Sequence, residues 1–480
     1  MKKSGLLIGL VFITAGAVFS QATNYTYTYD FWDEANASPD AYRVSAYLLG
    51  AGLGIQDFRD PQGLYVRDNR IYVCDSGNNR IVRIEVDNNG THTVTAVVNS
   101  VMINGVKSNF AYPMDIFETG QGVLYIADTN NNRILILDHN WNYIASIVKP
   151  KDETIDETTE FLPVKLVVDF ANRLFVQALN INKGLLEFDT ENNFVGYMGA
   201  NKVHFNPIDY VWKMVFSTAE QRKQMSLFIP SEYNNLCIDN EGFIYVTNNS
   251  QKIAPVRRLN ARGQDILVRN GYEDPQGDLS FGNAGGINGP SRFIDVTTFD
   301  NDSYGCFDRI RGRIFIYDFQ GNLLYAFGGV GNRKGRFLQP VALDHMGYSL
   351  YALDSQSGAV TRFDMTSYGE KINDALSEYR AGRYDSSAGI WEDVLKMNGN
   401  YDLAYIGIGR AALRQGDYKT AMKYYELKHY KSGYSKAFQL YRKQFMEENL
   451  WKMLLALLII IFVPMIVSKI LKIRREIREE

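Results

Sequence analysis

Cysteine is scarce in this sequence, which holds three in 480 residues: Cys74, Cys237 and Cys306. They lie far apart and form no CxxC pair, which excludes a zinc ribbon and a thioredoxin-type redox site. Small buried hydrophobic side chains are the simplest interpretation of all three. The spacing leaves one disulfide, such as Cys237–Cys306, as an open alternative.

Proline and net charge are also low, at 12 prolines and a formal charge of −3. With 31 tyrosines and 27 phenylalanines, this composition favours a folded, β-rich protein and gives no basis for a nucleic-acid partner. The sequence contains no P-loop, no GxSxG elbow and no HExxH helix. A GIGRAA string at Gly407 follows no strand, so it fails the context test for a dinucleotide site. We therefore expect no cofactor.

Both ends of the chain carry membrane-type signals. Two lysines precede an apolar run from Leu6 to Phe19, which has the length of a signal-peptide core and is short for a membrane span. We expect a signal peptide over residues 1–22, a transmembrane helix over 450–470 and a basic cytoplasmic tail over 471–480. The body of the protein is then outside the cell membrane, held by one C-terminal helix.

The middle of the chain is repetitive. Six segments each begin with a proline and continue into a strand-like stretch, and further short apolar stretches follow. They begin at Pro61, Pro113, Pro163, Pro230, Pro290 and Pro340. Four short strands in each unit are typical of the blades of a β-propeller, in which ring closure removes most exposed strand edges.

Two units carry nearly the same string, VCDSGNNRIVRI at residues 73–84 and IADTNNNRILIL at 126–137. These strings resemble the NHL-repeat family of six-bladed propellers, and the resemblance extends over roughly residues 41–364. It implies a mainly β propeller over 23–365, with a helical insertion at about 205–229. Propellers similar to this one include lactonases and lyases that hold a divalent metal in the central channel.

The sixth unit lacks a fourth strand of its own. Residues 42–49 look like the strand that ends the fifth unit, so we infer that they complete the sixth blade. The alternating aromatics of residues 25–32 predict a further edge strand or a packing arm. Beyond the propeller, the 34-residue spacing of Gly382 and Gly416 resembles the tetratricopeptide repeat and predicts a helical module over 366–449.

The repeated turn places an Arg five residues after an Asp. Its oxygen-rich spacing resembles a calcium loop, but Arg133 stands where such a loop needs glycine. A structural turn fits better, because the carboxylate can accept backbone N–H groups and the Arg can return to it. The predicted pairs are Asp75 with Arg80, Asp128 with Arg133, and Asp308 with Arg313.

Aligning the units on their prolines gives the candidate ligand site. The second residue after each proline lies on the innermost strand, and four successive units place Asp115, Lys165, Glu232 and Arg292 there. Convergent polar groups at a channel mouth predict a binding site, whereas a self-neutralised ring of ion pairs is the structural alternative. Each acid has a basic neighbour and no histidine falls at these positions, so we expect no metal.

The sequence favours a membrane-anchored extracytoplasmic binding or scaffold protein. The propeller would recognise a ligand or protein, with a carbohydrate or peptide as candidate ligands. The tetratricopeptide-like module would dock a membrane partner in the envelope, such as a transporter. A gluconolactonase-like hydrolase or lyase and a purely structural envelope protein are the alternatives, because a fold alone does not choose among functions.

Overall fold

A computed structural model describes residues 26–32, 34–155, 158–199, 233–248, 254–271, 273–279 and 290–479. These residues form six antiparallel sheets arranged as propeller blades, followed by a helical region. The structure therefore confirms the mainly β fold class. The predicted signal peptide, the predicted insertion at about 205–229 and Glu232 lie outside the described residues.

Blades 1 to 3 are four-stranded sheets in which the strands follow one another in the chain. Blade 1 contains β4 (Gly63–Arg67), β5 (Arg70–Asp75), β6 (Arg80–Val86) and β7 (His92–Val98). A hairpin of β8 (Ser100–Ile103) and β9 (Val106–Asn109) follows it. Blade 2 contains β10 (Pro113–Glu118), β11 (Leu124–Asp128), β12 (Arg133–Leu137) and β13 (Tyr143–Val148). Blade 3 contains β14 (Leu162–Val168), β15 (Leu174–Leu179), β16 (Leu185–Phe188) and β17 (Phe194–Met198).

Blades 5 and 6 each recruit strands from the start of the described chain. Blade 4 contains β18 (Tyr233–Ile238), β19 (Ile244–Asn248) and β20 (Val256–Leu259). Blade 5 contains β21 (Phe293–Thr298), β22 (Tyr304–Asp308), β23 (Arg313–Tyr317) and β24 (Leu323–Gly328), extended by β1 (Thr26–Tyr29) and β2 (Ala35–Ala37). Blade 6 contains β25 (Pro340–Met346), β26 (Ser349–Asp354), β27 (Ala359–Met365) and β3 (Tyr42–Leu48).

Strand β3 closes the ring as expected from the sequence. It pairs antiparallel with β27, with Leu48 opposite Val360 and Tyr42 opposite Met365. The innermost strands of neighbouring blades contact one another, and β25 contacts β4 to complete the circle. The predicted edge strand is also confirmed, because β1 pairs with the outer strand β24 of blade 5.

The burial pattern of the strands follows their position in a blade. Middle strands such as β11 and β23 are buried along most of their length, because blades pack against both of their faces. The outer strand β7 instead alternates between half-buried and exposed side chains, as expected for a strand with one face in water. These two patterns place the apolar cores between blades.

The helical region packs against blades 5 and 6. It contains α1 (Ser367–Arg380), α2 (Tyr384–Met397), α3 (Asp402–Gln415), α4 (Tyr418–Leu427) and α5 (Lys431–Glu479). The small residues of the GIGRAA string serve close packing in α3. A Cβ at Gly407 would overlap the Trp391 indole, and one at Gly409 would press on the Tyr425 ring. The Tyr401 hydroxyl ties this region to the propeller by donating to the Leu324 carbonyl at 2.9 Å.

Helix α5 continues far beyond the part of the helical region that packs against the propeller. Its segment Lys431–Arg475 is long and apolar enough to cross a membrane, by length and composition. Its apolar side chains from Leu450 onward are exposed to the surroundings, as a span facing lipid requires. Within the part of the chain that the structure describes, no other helix meets this test.

Candidate functional site

One mouth of the central channel opens into a cavity of about 400 Å³. The innermost strands of all six blades contribute side chains to its wall. Each of these strands starts at one face of the propeller and ends in a tight loop at the cavity. Residues separated by 50 or more positions in the chain are therefore brought together there.

The pairing registers show which residues lie at one level of the channel. Strand β10 pairs Pro113 with Asp128 and then, after a bulge, places Asp115 opposite Ala127. Strand β21 pairs Phe293 with Asp308 in the same way, and its bulge places Asp295 opposite Phe307. The corresponding residues of the ring, in blade order, are Gly63, Asp115, Lys165, Asn235, Asp295 and Ala342.

This ring agrees with the predicted site in blades 2 and 3 and differs from it in blade 5. Asp115 and Lys165 lie side by side in the cavity. Arg292 precedes β21, is exposed and does not line the cavity, because β21 begins three residues after its proline. In blade 4 the register places Asn235 in the ring. The observed order is therefore acid, base, amide, acid.

Lys165 and Asp115 form a buried ion pair. The ammonium nitrogen of Lys165 lies 3.6 Å from Oδ1 of Asp115, and both side chains are almost fully buried. Burial raises the pKa of the Asp115 carboxyl, although the nearby Lys165 charge opposes this. Burial also opposes the Lys165 charge, but Asp115 and Asp295 outweigh it and raise the pKa of that ammonium group. Lys165 therefore stays cationic at neutral pH.

Three channel carboxylates accept hydrogen bonds across three of the six boundaries between blades. Oδ2 of Asp115 accepts the backbone N–H of Leu166 at 2.9 Å, across the boundary between blades 2 and 3. Asp295 accepts from Leu343 in blade 6 at 2.7 Å. Asp344 accepts from Val66 in blade 1 at 2.6 Å, which joins the last blade to the first. These carboxylates hold the ring together as well as facing the cavity.

The carboxyl group of Asp295 has a strongly raised pKa. Burial raises its pKa to about 7, against the lowering effect of Lys165 and of two backbone N–H donors. A carboxyl group with such a pKa can hold or release a proton at neutral pH. The prolines of the sequence did not point to Asp295, because the blade-5 register begins at Phe293.

The cavity rim carries further groups that the sequence did not indicate. The Nδ1 atom of His345 lies 2.8 Å from the Thr297 hydroxyl, and that hydroxyl also donates to Asp344 at 3.2 Å. Phe170 follows β14 and is 74% exposed on the rim. An exposed aromatic ring beside converging polar groups is a common feature of ligand sites.

The opposite mouth has a different chemical character. A cavity of about 340 Å³ there is lined by amide side chains from four blades and by Arg309. Lys165 lines both cavities, so its side chain separates the two halves of the channel. The buried Oε1 of Gln177 in this second cavity accepts no hydrogen bond from the described residues.

The blade turns serve the scaffold in blades 1 and 2 as predicted. Asp75 accepts from Arg80 Nε at 2.6 Å, and Asp128 accepts from Arg133 Nε at 2.8 Å. Each carboxylate also accepts a backbone N–H from the loop that enters its own blade, from Arg59 in blade 1 at 2.8 Å.

Blade 5 changes this arrangement. Arg313 pairs with Asp278, and its guanidinium also lies over the Tyr27 ring of β1. Asp308 instead accepts from the Ser291 hydroxyl at 2.6 Å and from the Arg292 backbone at 3.0 Å. Because β1 adds a strand to blade 5, Arg313 is used to fix that strand rather than the turn.

The candidate metal ligands and the thiols can be located within the described residues. Within the described residues, no three His, Cys, Asp or Glu side chains converge as metal ligands would. The three cysteines are free thiols, and burial raises the pKa of each one. Cys237 lines the channel cavity. The ionisable groups that line this cavity include Asp115, Lys165 and Asp295 of the ring, and Asp344 and His345 at the rim.

Comparison with known proteins gives a limited match. The NHL repeat family model matches residues 58–84, which span β4, β5 and part of β6 in blade 1. No curated protein sequence matches the chain significantly.

Among solved structures, the chain is similar to virginiamycin B lyase from Staphylococcus aureus, at 13% identity over 67% of this chain and 85% of that one, with a TM-score of 0.40. A structural genomics protein of unknown function from Bacteroides thetaiotaomicron VPI-5482 has 11% identity over 64% and 70%, with a TM-score of 0.42. The WD40 repeats of RRP9 have 10% identity over 68% and 98%, with a TM-score of 0.41. The first blade thus carries an NHL repeat, and the chain folds as a six-bladed, mainly β propeller followed by a helical region.

Proposed function

We propose that this chain is a membrane-anchored binding protein whose propeller recognises a small saccharide-like ligand in the carboxylate-rich mouth of the channel. The observation that supports it is the composition of the 400 Å³ cavity. Its size lies in the range of small-molecule sites, and six blades supply its polar groups.

The charges in this cavity favour a ligand rich in hydrogen-bond donors. Among the described lining residues, the carboxylates outnumber the cations, five against two. The carboxylates are Asp115, Asp169, Asp239, Asp295 and Asp344, and the cations are Arg67 and Lys165. Sugar hydroxyl groups can donate to carboxylates and accept from Lys165, while Phe170 offers an apolar face to a sugar ring. A strongly anionic ligand would be repelled.

The same residues are preorganised for recognition of a ligand. Asp115, Asp295 and Asp344 each accept a backbone N–H from the adjacent blade, so they are held in fixed orientations. Preorganised acceptors lower the entropic cost of recognition. This supports binding as the main activity.

The helical region and α5 support the anchored part of the proposal. In this proposal, α1 to α4 form a tetratricopeptide-like module that docks a protein partner in the envelope, and α5 crosses the membrane. Two supports are the equivalent starts of α2 at Tyr384 and α4 at Tyr418, and the apolar length of α5. A transporter component would suit this position, because the module lies between the propeller and the apolar segment in the chain.

Ligand binding is tested with the full-length chain in detergent. We expect mono- or oligosaccharides to raise the midpoint of thermal unfolding, and unrelated peptides to leave it unchanged. Phe170→Ala should weaken saccharide binding about tenfold without changing stability, because the ring is exposed. Phe438→Ala, an exposed phenylalanine on α5, is the matched control. Absence of any shift across a broad saccharide panel would favour the purely structural alternative.

A hydrolase or lyase is the second candidate, favoured by Asp295 alone. Its pKa of about 7 suits a general acid or base. If the bound saccharide or a lactone is turned over, Asp295→Asn should abolish product formation detected by mass spectrometry while leaving binding within a few fold. Retention of full turnover by this variant would remove Asp295 from the reaction.

A further inference from the structure

A third cavity, of about 520 Å³, lies between the propeller and the helical region. Its wall is formed by α1, α3, α4 and the start of α5, with the loop residues Asn270 and Gln320 on the propeller side. It is remote in sequence from the ring residues and shares no lining residue with either mouth of the channel.

The charge of this cavity is positive. Arg410, Arg414 and Lys436 line it, and none of the described lining residues is acidic. The nearest acid to Arg410 is Asp318, whose Oδ2 lies 3.6 Å from Nη1. This contact is an ion pair that is too long for a hydrogen bond, and Oδ2 of Asp318 instead accepts from the side-chain amide of Asn322 at 2.7 Å.

Arg410 retains unused hydrogen-bonding capacity. Its side chain is 11% exposed, and its buried Nη2 donates no hydrogen bond to any described residue. A buried guanidinium nitrogen without an acceptor is costly, and a bound water or anion that supplies the acceptor is one explanation for it. Arg414 and Lys436 are exposed at the same cavity and add two accessible cationic groups.

The remaining wall suits a ring-containing ligand. The half-buried rings of Tyr379 and Tyr430 line the cavity together with the cations, and the buried Tyr425 ring packs against Tyr430. Tyrosine faces accept flat or sugar-like rings, while guanidinium and ammonium groups prefer phosphate and carboxylate oxygens. We propose that this cavity binds an oxyanion carried by a small ring-containing molecule, with a sugar phosphate as the best-fitting class.

The position of the cavity argues for a soluble source of the oxyanion rather than a lipid headgroup. Lys436 precedes the apolar segment that starts at Leu450 by 14 residues, which is about 21 Å along a helix. A headgroup at the end of the span would not reach the cavity at that distance. The ligand would instead fill the cavity between the propeller and the helical region.

The test compares glucose 6-phosphate with glucose on the full-length chain in detergent, by calorimetric titration at constant ionic strength. The difference between the two isolates the phosphate group and separates this cavity from the saccharide site of the channel. We expect glucose 6-phosphate to bind at least tenfold more tightly than glucose at this cavity. No phosphate-dependent binding at millimolar concentration would overturn the proposal, whatever the outcome at the channel.

Matched variants locate the binding. The double variant Arg414→Gln with Lys436→Gln changes two exposed side chains, so it should fold and lose at least tenfold in affinity for glucose 6-phosphate. Lys419→Gln with Lys423→Gln on α4 removes the same charge outside the cavity and should bind like the wild type. Equal loss in both double variants would show non-specific charge attraction and contradict the proposed site. Binding only to vesicles with anionic lipid, dependent on Arg414 and Lys436, would keep the oxyanion chemistry and overturn the soluble source.

Discussion

At the scale of single residues, Asp128 shows how one carboxylate secures a blade. It is fully buried and accepts from the Ala111 backbone, the Asn131 amide and the Arg133 guanidinium, each at 2.8 Å. These donors come from the loop that enters the blade and from the turn itself. The turn therefore fixes two parts of blade 2 through a single side chain.

Removing this carboxylate should destabilise the propeller strongly. Asp128→Ala leaves three donors without their acceptor, including a largely buried guanidinium, so we expect a loss of about 3–5 kcal/mol in the free energy of unfolding. Urea unfolding followed by circular dichroism measures this loss in the free energy of unfolding. Asp138→Ala is the control, because that carboxylate caps a more exposed loop and should matter much less. Equal losses in the two variants would contradict the assigned role of the turn.

The turns could be read from the sequence because their contacts are local. Asp75 and Arg80, or Asp128 and Arg133, are five residues apart and meet across one turn. Arg313 escaped the prediction because its partner, Asp278, comes from a distant loop, and because β1 covers blade 5. Spacing alone carries no information about such long-range competition for a guanidinium group.

The alignment of the sequence on its prolines missed the ring residues of blades 4 and 5 for a related reason. A proline marks the start of the innermost strand in blade 2 but lies three residues before it in blade 5. The loop after the strand is a better reference. Lys165 and Asn235 each precede by four residues an aspartate, Asp169 or Asp239, whose N–H closes that loop. Counting back from the loop would have found Asn235, because loop hydrogen bonds fix the register whereas a proline need not.

Asp295 should make stability depend on pH. Its pKa of about 7 in the folded state exceeds the ordinary value of ~4 in an unfolded chain. Between these values the folded state keeps a proton that the unfolded state releases, so the stability contributed by this group falls as pH rises from about 4 to about 7 and is constant above that.

The variant Asp295→Asn removes this titration. The stability of the wild type relative to the variant should therefore decrease from pH 4.5 to pH 7 and then level off, as measured by urea unfolding. Asp300→Asn changes an exposed carboxylate outside the cavity and serves as the control. Parallel pH profiles of the wild type and Asp295→Asn would contradict the assigned protonation of Asp295.

At the scale of elements, β3 closes the ring of the propeller. It supplies the fourth strand of blade 6 from the N-terminal side of the chain, and its first residue also contacts blade 5. The Tyr42 ring is fully buried and stacks on Phe327 at 5.0 Å. One strand therefore joins two blades and both ends of the propeller.

Loss of the Tyr42 side chain should weaken the packing of β3 between blades 5 and 6. Tyr42→Ala creates a cavity between blades 5 and 6, and we expect a loss of about 3–5 kcal/mol in the free energy of unfolding. Tyr47→Ala on the same strand removes a half-buried ring and should cost at most about 1 kcal/mol. Denaturant titration of both variants measures these losses in the free energy of unfolding. Equal and small losses would show that β3 pairing does not secure the ring.

At the scale of the whole molecule, α5 would set the distance between the propeller and the membrane in the proposed anchored arrangement. It starts at Lys431, while its apolar segment starts at Leu450, so about 28 Å of helix separates the two. Both the channel and the positively charged cavity between the propeller and the helical region would then lie outside the lipid. This spacing suits a protein that presents ligand sites to a partner beside the membrane.

The anchor and its orientation can be tested in a bacterial host. Because α5 provides the apolar segment, the full-length chain should sediment with membranes, and a chain ending at residue 449 should be soluble after lysis. Green fluorescent protein fused after residue 480 should fluoresce, since the basic tail is expected in the cytoplasm. The same protein fused after residue 449 should not fluoresce, because we expect this point to be exported before green fluorescent protein can fold. Fluorescence of both fusions would place the propeller in the cytoplasm and contradict the proposed topology, even if the full-length chain is membrane-bound. Release of the full-length chain by high salt would instead show surface attachment, because a spanning helix is held by apolar burial that salt does not weaken.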